Sequence, residues 1–390
     1  MKHRFIAKKY WNDMPTAMSG NKAREKGIID LTFGDPDFTT PESIIAAAHI
    51  DVCQGHTHYT ELYGDMALRQ EVQKRLREDY QLDAAINELY ITFGASHGLM
   101  LALQAILDPG DEVVMQNPSY TPYPDQVRLA GGIPVMAKTF EADQFELRAD
   151  VLEQKITNRT KAILINNPCN PTGALFSREC LEGIAHIAKK YDLIVITDEV
   201  YAVMDFQKKF IPFASLDGMR ERTITLCSAS KEFAMTGWRV GFNFAPAELC
   251  TMMKRINEND TIMASSVAQR AYLHGLRQRQ TLNPMICRLF QERVQYAYER
   301  ICRMKNISTM TPRGSFYLFP NIKETGLTSE EAAEIILKEA KVAVFPGNAF
   351  GSGGEGYLRI ACTRTLEDLK TAFDRMEKMD IFSRSSFEKK

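Results

Sequence analysis

The residues with the most chemistry in their spacing lie in one stretch, Cys227 to Phe242. An apolar run, Thr223 to Cys227, leads into Ser228, Ser230 and Lys231. A small-residue turn then leads to Arg239 and a second short apolar run. A lysine directly after a buried strand is poorly placed for solvation, so it either snorkels to a wet face or has a covalent or ionic task. The hydroxyls of Ser228 and Ser230 and the guanidinium of Arg239 are groups that hold a phosphate monoester. A lysine beside a phosphate site points to a Schiff base and to pyridoxal phosphate.

Further reactive types follow other apolar runs. Gly94-Ala95-Ser96 opens a helix, where free N–H groups and the helix dipole make either an anion site or an ordinary cap. Tyr120, in Pro118 to Tyr123, is either core filler or a ring that stacks on a ligand. Asn166 to Gly173 holds two Asn-Pro dipeptides and a Thr-Gly, which force a rigid turn at a strand end. Asp198 ends another run and is costly to bury unpaired; the alternative is an N-cap for a following helix. Tyr201 stands three residues on. Arg359 has an apolar neighbour on each side and needs a bidentate partner, which a carboxylate supplies.

Ser228-x-x-Lys231 with Gly237-x-Arg239-x-Gly241 resembles the cofactor-lysine segment of the class I and II aminotransferases, the fold type I pyridoxal phosphate enzymes of the aspartate aminotransferase superfamily. Asn167-Pro168-x-Asn170-Pro171-Thr172-Gly173 and Asp198-x-x-Tyr201 match the same family in the same order, and the resemblance runs from about Leu31 to Arg359. It implies an α/β fold: a large domain with a mainly parallel seven-stranded sheet flanked by helices, plus a smaller α+β domain. It implies transfer of an α-amino group from an amino acid to a 2-oxo acid by pyridoxal 5′-phosphate held as a Schiff base on Lys231.

The remaining roles follow from the same resemblance. Asp198 faces the pyridinium nitrogen. Asn170 and Tyr201 donate to the 3′ oxygen, and Tyr120 lies over the ring. Ala95, Ser96, Ser228, Ser230 and Arg239 form the phosphate cup. Arg359 binds the substrate α-carboxylate, and Gly34 belongs to a loop that closes over substrate. Tyr59 reaches the phosphate of a neighbouring subunit, which implies a homodimer. Two rivals share these features: a carbon–sulfur β-lyase of the same fold, and a non-catalytic cofactor-binding regulator. The Asn-Pro and Gly-Trp-Arg-Val-Gly wording favours transamination over the lyase. No DNA-binding module precedes Leu31 to support the regulator. Some aspartate-preferring relatives carry a lysine where Ser96 stands. Phe33, Tyr63, Tyr120, Trp238 and Phe350 suit either an apolar or aromatic substrate side chain or plain packing.

The elements that must position these residues alternate. Apolar, β-branched runs at Tyr90–Thr92, Glu112–Met115, Ile133–Met136, Ala162–Ile165, Leu193–Thr197, Thr223–Cys227 and Val240–Phe244 are separated by helical patterns, notably near Ser96–Leu107 and Arg178–Lys190. That rhythm predicts a mainly parallel sheet covered on both faces, with ligands at the carboxyl ends of its strands. Pro134 predicts a strand end. Thr40 is expected to cap a helix opening at Pro41-Glu42. A helix is expected from Pro284 to about Met304, and a capping box at Thr328 and Glu331 opens another. Short strands are expected at Phe316–Phe319, Val342–Val344 and Tyr357–Ile360. Residues 1 to about 30 are mixed in character and are expected to include a short helix. The organisation expected is an N-terminal segment at 1–45, a large cofactor domain at 46–283, and a linker helix with a small domain at 284–390.

Bulk properties set limits. The 390 residues are 45% hydrophobic and 25% charged, with Lys+Arg 48 against Asp+Glu 49 and a net charge of -1. No basic excess points to nucleic acid or anionic lipid. The N-terminus is charged with no apolar core behind it, which argues against a signal peptide. No apolar stretch reaches the length that spans a bilayer. The eight cysteines are scattered without a C-x-x-C pair, the pattern of reduced core cysteines in a cytosolic protein with no metal site.

Overall fold

The computed structural model describes residues 27–383. The helix expected in residues 1 to about 30 is absent from 27–30, where Ile29–Asp30 form a strand; its remaining residues lie outside the described range. The strands in chain order are β1 (Ile29–Asp30), β2 (Leu89–Thr92), β3 (Glu112–Asn117), β4 (Ile133–Lys138), β5 (Thr160–Asn166), β6 (Ile194–Asp198), β7 (Thr223–Ser228), β8 (Gly241–Phe244), β9 (Tyr317–Leu318), β10 (Val342–Ala343), β11 (Phe345–Pro346) and β12 (Leu358–Ala361). Seven of them form the central sheet in the order β2-β8-β7-β6-β5-β3-β4. β8 runs antiparallel to both neighbours, and the other pairings are parallel.

The sheet is covered on both faces, as the unbroken apolar runs require. Successive side chains alternate between faces. Val113, Met115, Leu164 and Ile196 pack with Leu99, Leu103 and Met253 of helices Ala95–Ile106 and Ala247–Glu258. Val114, Ile163, Ile165 and Val195 pack with Leu181 and Ile184 of helix Arg178–Lys190. β4 closes one edge, and Pro134 is tolerated there because an edge strand has one unpaired side.

A smaller unit holds β11-β12-β9, an antiparallel sheet, and the parallel pair β1-β10. The pairing of Ile29 with Val342 ties the first described residues to this C-terminal unit. Helix Ser329–Ala340 opens with the expected box: the Glu331 N–H donates to Thr328 Oγ1 at 3.2 Å, and the Thr328 N–H donates to Glu331 Oε2 at 2.9 Å.

Two local expectations differ. Helix Glu42–Cys53 has Pro41, not Thr40, at its cap. Thr40 is buried and its hydroxyl is taken, donating to the Ala234 carbonyl at 2.9 Å and accepting from Trp238 Nε1 at 3.0 Å. The long helix runs Arg279–Ile301, so Pro284 lies inside it, in the second turn, where it removes only one early intrahelical bond. Among the described residues no helix is long and apolar enough to cross a membrane.

Candidate active site

β2, β3, β5, β6 and β7 run in one direction, so the turns that follow them meet at one end of the sheet. There they enclose a cavity of about 560 Å³, within the range of small-molecule sites. Ala95, Ser96, Tyr120, Asn170, Asp198, Tyr201, Ser228, Ser230, Lys231, Arg239, Gly34 and Arg359 all line it. Residues separated by most of the chain therefore converge where the sequence reading put them together. Tyr59 does not join them. It is 80% exposed and borders a separate surface hollow with His58 and Arg270.

One end of the cavity is built for an anion. Gly94, at φ +84°, turns the chain from β2 into helix Ala95–Ile106, whose first N–H groups face the cavity end without intrahelical partners. A Cβ at Gly94 would sit 3.1 Å from Arg239 Nη2, so the glycine also makes room for the guanidinium. Arg239 Nη1 donates to the Thr236 carbonyl at 2.7 Å and to Ser230 Oγ at 3.4 Å. Ser228 Oγ lies 2.9 Å from Ser230 Oγ and accepts from the Ser230 N–H at 3.1 Å.

Lys231 and Asp198 line the same cavity. Lys231 is carried on a single helical turn, Ala229–Glu232, and its Nζ donates to the Gly34 carbonyl at 2.5 Å. Burial lowers its pKa to about 8; Arg239 and Arg359 push the same way, while Asp35 and Asp198 oppose them. Asp198 ends β6 and is 7% exposed. Burial raises its pKa to about 6, against the Tyr123 hydrogen bond, the Val200 N–H and the charge of Lys231. Its Oδ1 accepts from the Val200 N–H at 3.2 Å, but no helix begins there, so the N-cap alternative fails.

The side of the cavity that holds Arg359 is aromatic. The Arg359 guanidinium lies 4.6 Å from the Tyr317 ring centre, 4.7 Å from Phe350 and 5.0 Å from Phe345. Its Nη1 donates to Asn170 Oδ1 at 3.0 Å and its Nη2 to the Thr32 carbonyl. The buried Nε has no hydrogen-bond partner among the described residues. The Asn170 backbone is fixed by its N–H, which donates to Asn166 Oδ1 at 2.7 Å, and its side chain lines the cavity. The Tyr201 hydroxyl lies 3.3 Å from that of Tyr317.

The loop Thr32–Asp35 covers this end. Thr363 Oγ1 donates to the Phe33 carbonyl at 2.8 Å, and Thr236 Oγ1 donates to Asp35 Oδ1 at 2.7 Å. A Cβ at Gly34 would fall 1.9 Å from the Tyr317 hydroxyl, so only glycine fits this approach.

Sequence reading missed Tyr123, whose hydroxyl donates to Asp198 Oδ2 at 2.7 Å. Its signal was available: it stands three residues after Tyr120 in the same turn, and the two rings meet edge-on at 5.3 Å. Tyr317 and Phe345 were missed as well, because nothing in their own segments marks them as site residues. Phe33, Tyr120 and Phe350 line the cavity, whereas Tyr63 and Trp238 do not. Tyr63 is bonded to Thr251, and Trp238 to Thr40.

The chain matches the family model for aminotransferase class I and II over residues 26–376. An aspartate aminotransferase of Pyrococcus abyssi is 41% identical over 358 residues, covering 91% of this chain and 92% of that protein. An aromatic-amino-acid aminotransferase of Thermococcus litoralis is 40% identical over 359 residues, with 91% and 92% covered. Among solved structures, an aromatic aminotransferase from Pyrococcus horikoshii aligns with a TM-score of 0.88 at 39% identity, covering 90% of this chain and 95% of that one. An aspartate aminotransferase from Thermus thermophilus with maleate aligns at 0.86 and 32%, covering 90% and 91%. With this match in sequence and in fold, and with a lysine, an acid and an anion cup assembled at the carboxyl end of a mainly parallel sheet, the chain belongs to the class I and II aminotransferases, is a transaminase acting on amino acids and 2-oxo acids, and by that membership uses pyridoxal phosphate.

Proposed function

We propose that Lys231 is the residue that carries the cofactor and moves the substrate proton, with the surrounding groups in the roles the family resemblance gives them. The carrying observation is the juxtaposition in one cavity of a desolvated amine, a buried carboxylate and an anion cup. The donor set fits pyridoxal phosphate. Hydroxyls of Ser228 and Ser230, the Arg239 guanidinium and the N–H groups at Ala95 and Ser96 suit a phosphate. Bound there, the cofactor supplies an electron sink for the bond-breaking at the substrate Cα.

The protein's own residues do the rest. With the cofactor held there, Lys231, whose pKa is about 8, would be close enough to neutrality to take up and give back the proton of the substrate Cα. Asp198 holds a proton at the ring nitrogen. Asn170 and Tyr201 donate at the 3′ oxygen, and Tyr120 covers the ring face. Arg359 receives the α-carboxylate through the fork edge that includes its unpartnered Nε. The Thr32–Asp35 loop excludes water above them.

The side chain accepted is neutral, aromatic or apolar. Among the described residues the cations lining the cavity are Lys231, Arg239 and Arg359, and each already has a task; Phe33, Phe345 and Phe350 supply apolar surface. The aromatic-amino-acid specificity named for the Thermococcus litoralis relative agrees with this choice, and the aspartate specificity named for the Pyrococcus abyssi relative does not. The active unit is a homodimer in which Tyr59, exposed in the single chain, reaches the partner's phosphate site. The cofactor domain is 46–283, with 27–45 and 284–383 in the smaller unit, a division supported by the β1-β10 pairing; the outer parts of the expected 1–45 and 284–390 segments lie outside the described residues. Eight unpaired cysteines support a cytoplasmic setting.

Two measurements test the reading. Lys231→Ala is expected to fold and to lose transamination; near-normal turnover in that variant would sink the assignment. Amino acids added singly to the holoenzyme are expected to bleach its visible absorbance, with aromatic donors effective at lower concentration than aspartate. The opposite order would overturn the side-chain choice alone.

A further inference from the structure

Lys231 depends for its position on a segment that cannot hold itself. Ala229–Glu232 is a single turn of four residues, too short to be stable on its own hydrogen bonds. On the cavity side the turn is fixed by Ser228 and Ser230. On the other side the fixing group is Glu232, which is 2% exposed and points away from the cavity into the core. Its Oε2 accepts from Arg75 Nη1 at 2.6 Å, and its Oε1 accepts from Asn283 Nδ2 at 2.8 Å. Arg75 is itself 3% exposed and lies against Tyr80, its Nη2 3.3 Å from the Tyr80 hydroxyl.

Both partners come from far away in the chain. Arg75 lies on helix Met66–Tyr80, 157 residues from Glu232, and Asn283 lies in the second turn of helix Arg279–Ile301. Farther along, the same helix holds Asp37, two residues beyond the loop over the cavity. Arg293 holds Asp37 through Nη1 at 2.7 Å and Nη2 at 3.1 Å, and also donates to the Thr363 carbonyl at 3.2 Å. One rigid element therefore references both the reactive lysine and its cover.

We propose that Glu232, clamped by Arg75 and Asn283, is a positioning residue for Lys231. It sets where the amine stands rather than how readily it ionises. A buried ion pair adds little net stability over apolar residues of similar size, so specifying geometry is what this pair contributes. The proposal rests on the reading of Lys231 as the cofactor lysine.

The test uses the double variant Arg75→Met/Glu232→Leu, which removes both charges and strands neither. Apoprotein is mixed with pyridoxal phosphate, and the rise of the visible band reports capture by the Lys231 amine. Pyridoxamine phosphate, which offers no aldehyde to the lysine, reports the phosphate cup alone. Capture is expected to slow about tenfold or more, with pyridoxamine phosphate affinity within about twofold of wild type and kcat falling while KM holds. A folded double variant that captures at the wild-type rate overturns the proposal. If it does not fold, Asn283→Leu carries the test, since it keeps the ion pair and cuts the tie to the long helix. Slower capture by about threefold supports the proposal, and an unchanged rate overturns it. Failure of wild-type protein to bind either compound would instead defeat the cofactor reading on which the proposal stands.

Discussion

The Tyr123 hydroxyl donates to Oδ2 of Asp198 across 2.7 Å, from the turn after β3 to the end of β6. This bond is one of the interactions that hold the carboxyl's pKa down against its burial. Tyr123→Phe removes it and leaves the ring in place. The pKa of Asp198, already at about 6, then rises further. In the role proposed for it Asp198 must be a carboxylate, which is lost as pH falls through that value. The acid limb of kcat is therefore expected to move up by about one pH unit, with turnover near pH 6 falling about fivefold and little change near pH 9. An acid limb at the wild-type position would show that Tyr123 only packs.

Gly34→Ala places a methyl against the Tyr317 hydroxyl, 1.9 Å away before adjustment. The loop must lift, so the amino donor is expected to bind about tenfold more weakly while cofactor binding stays unchanged. Adding Tyr317→Phe removes the clashing oxygen and is expected to recover part of the loss. Steady-state KM values for the three proteins decide it; no recovery would mean that the loop is held elsewhere.

Arg359→Lys keeps the charge and loses the fork. Asn170 Oδ1 and the Thr32 carbonyl then lose donors, and the three-ring setting no longer matches a compact ammonium. KM for the amino acid is expected to rise about a hundredfold. Amines lacking a carboxylate serve as controls and should be processed as before. Equal damage to both would remove Arg359 from the carboxylate role.

Glu199 follows Asp198 but is turned away from the cavity. It is 2% exposed, and its Oε1 accepts from the Phe213 N–H at 3.0 Å and from Thr197 Oγ1 at 3.2 Å. Burial raises its pKa from 4.5 to about 8. The folded chain thus binds a proton there that the unfolded chain has released between those two values. Its contribution to stability is full below about pH 4.5 and falls as pH rises toward 8, by about 1.4 kcal/mol per unit. Glu199→Gln cannot release that proton. Unfolding midpoints measured from pH 5 to pH 9 should show the variant gaining on wild type as pH rises; parallel curves would place the carboxyl's pKa near its ordinary range.

What the sequence determined by itself is local chemistry at chain positions. Continuous apolar runs set the strands, because a strand buried on both faces must be apolar at every residue. Turns such as Asn166 to Gly173 announce themselves because proline and glycine restrict or free the backbone within a few residues. With the strands parallel, the turns after them share one end, so Lys231, Asp198, Asn170 and the phosphate cup could be grouped before any contact was known. The tertiary structure decided which side chains touch. Arg359 and Thr32 are 327 residues apart, and Arg75 and Glu232 are 157 apart. No local pattern relates such pairs, since their meeting depends on the strand order and on the direction taken by helix Arg279–Ile301. For the same reason the sequence offered Thr40 as a helix cap, while the fold spent its hydroxyl on Ala234 and Trp238 beside the lysine turn.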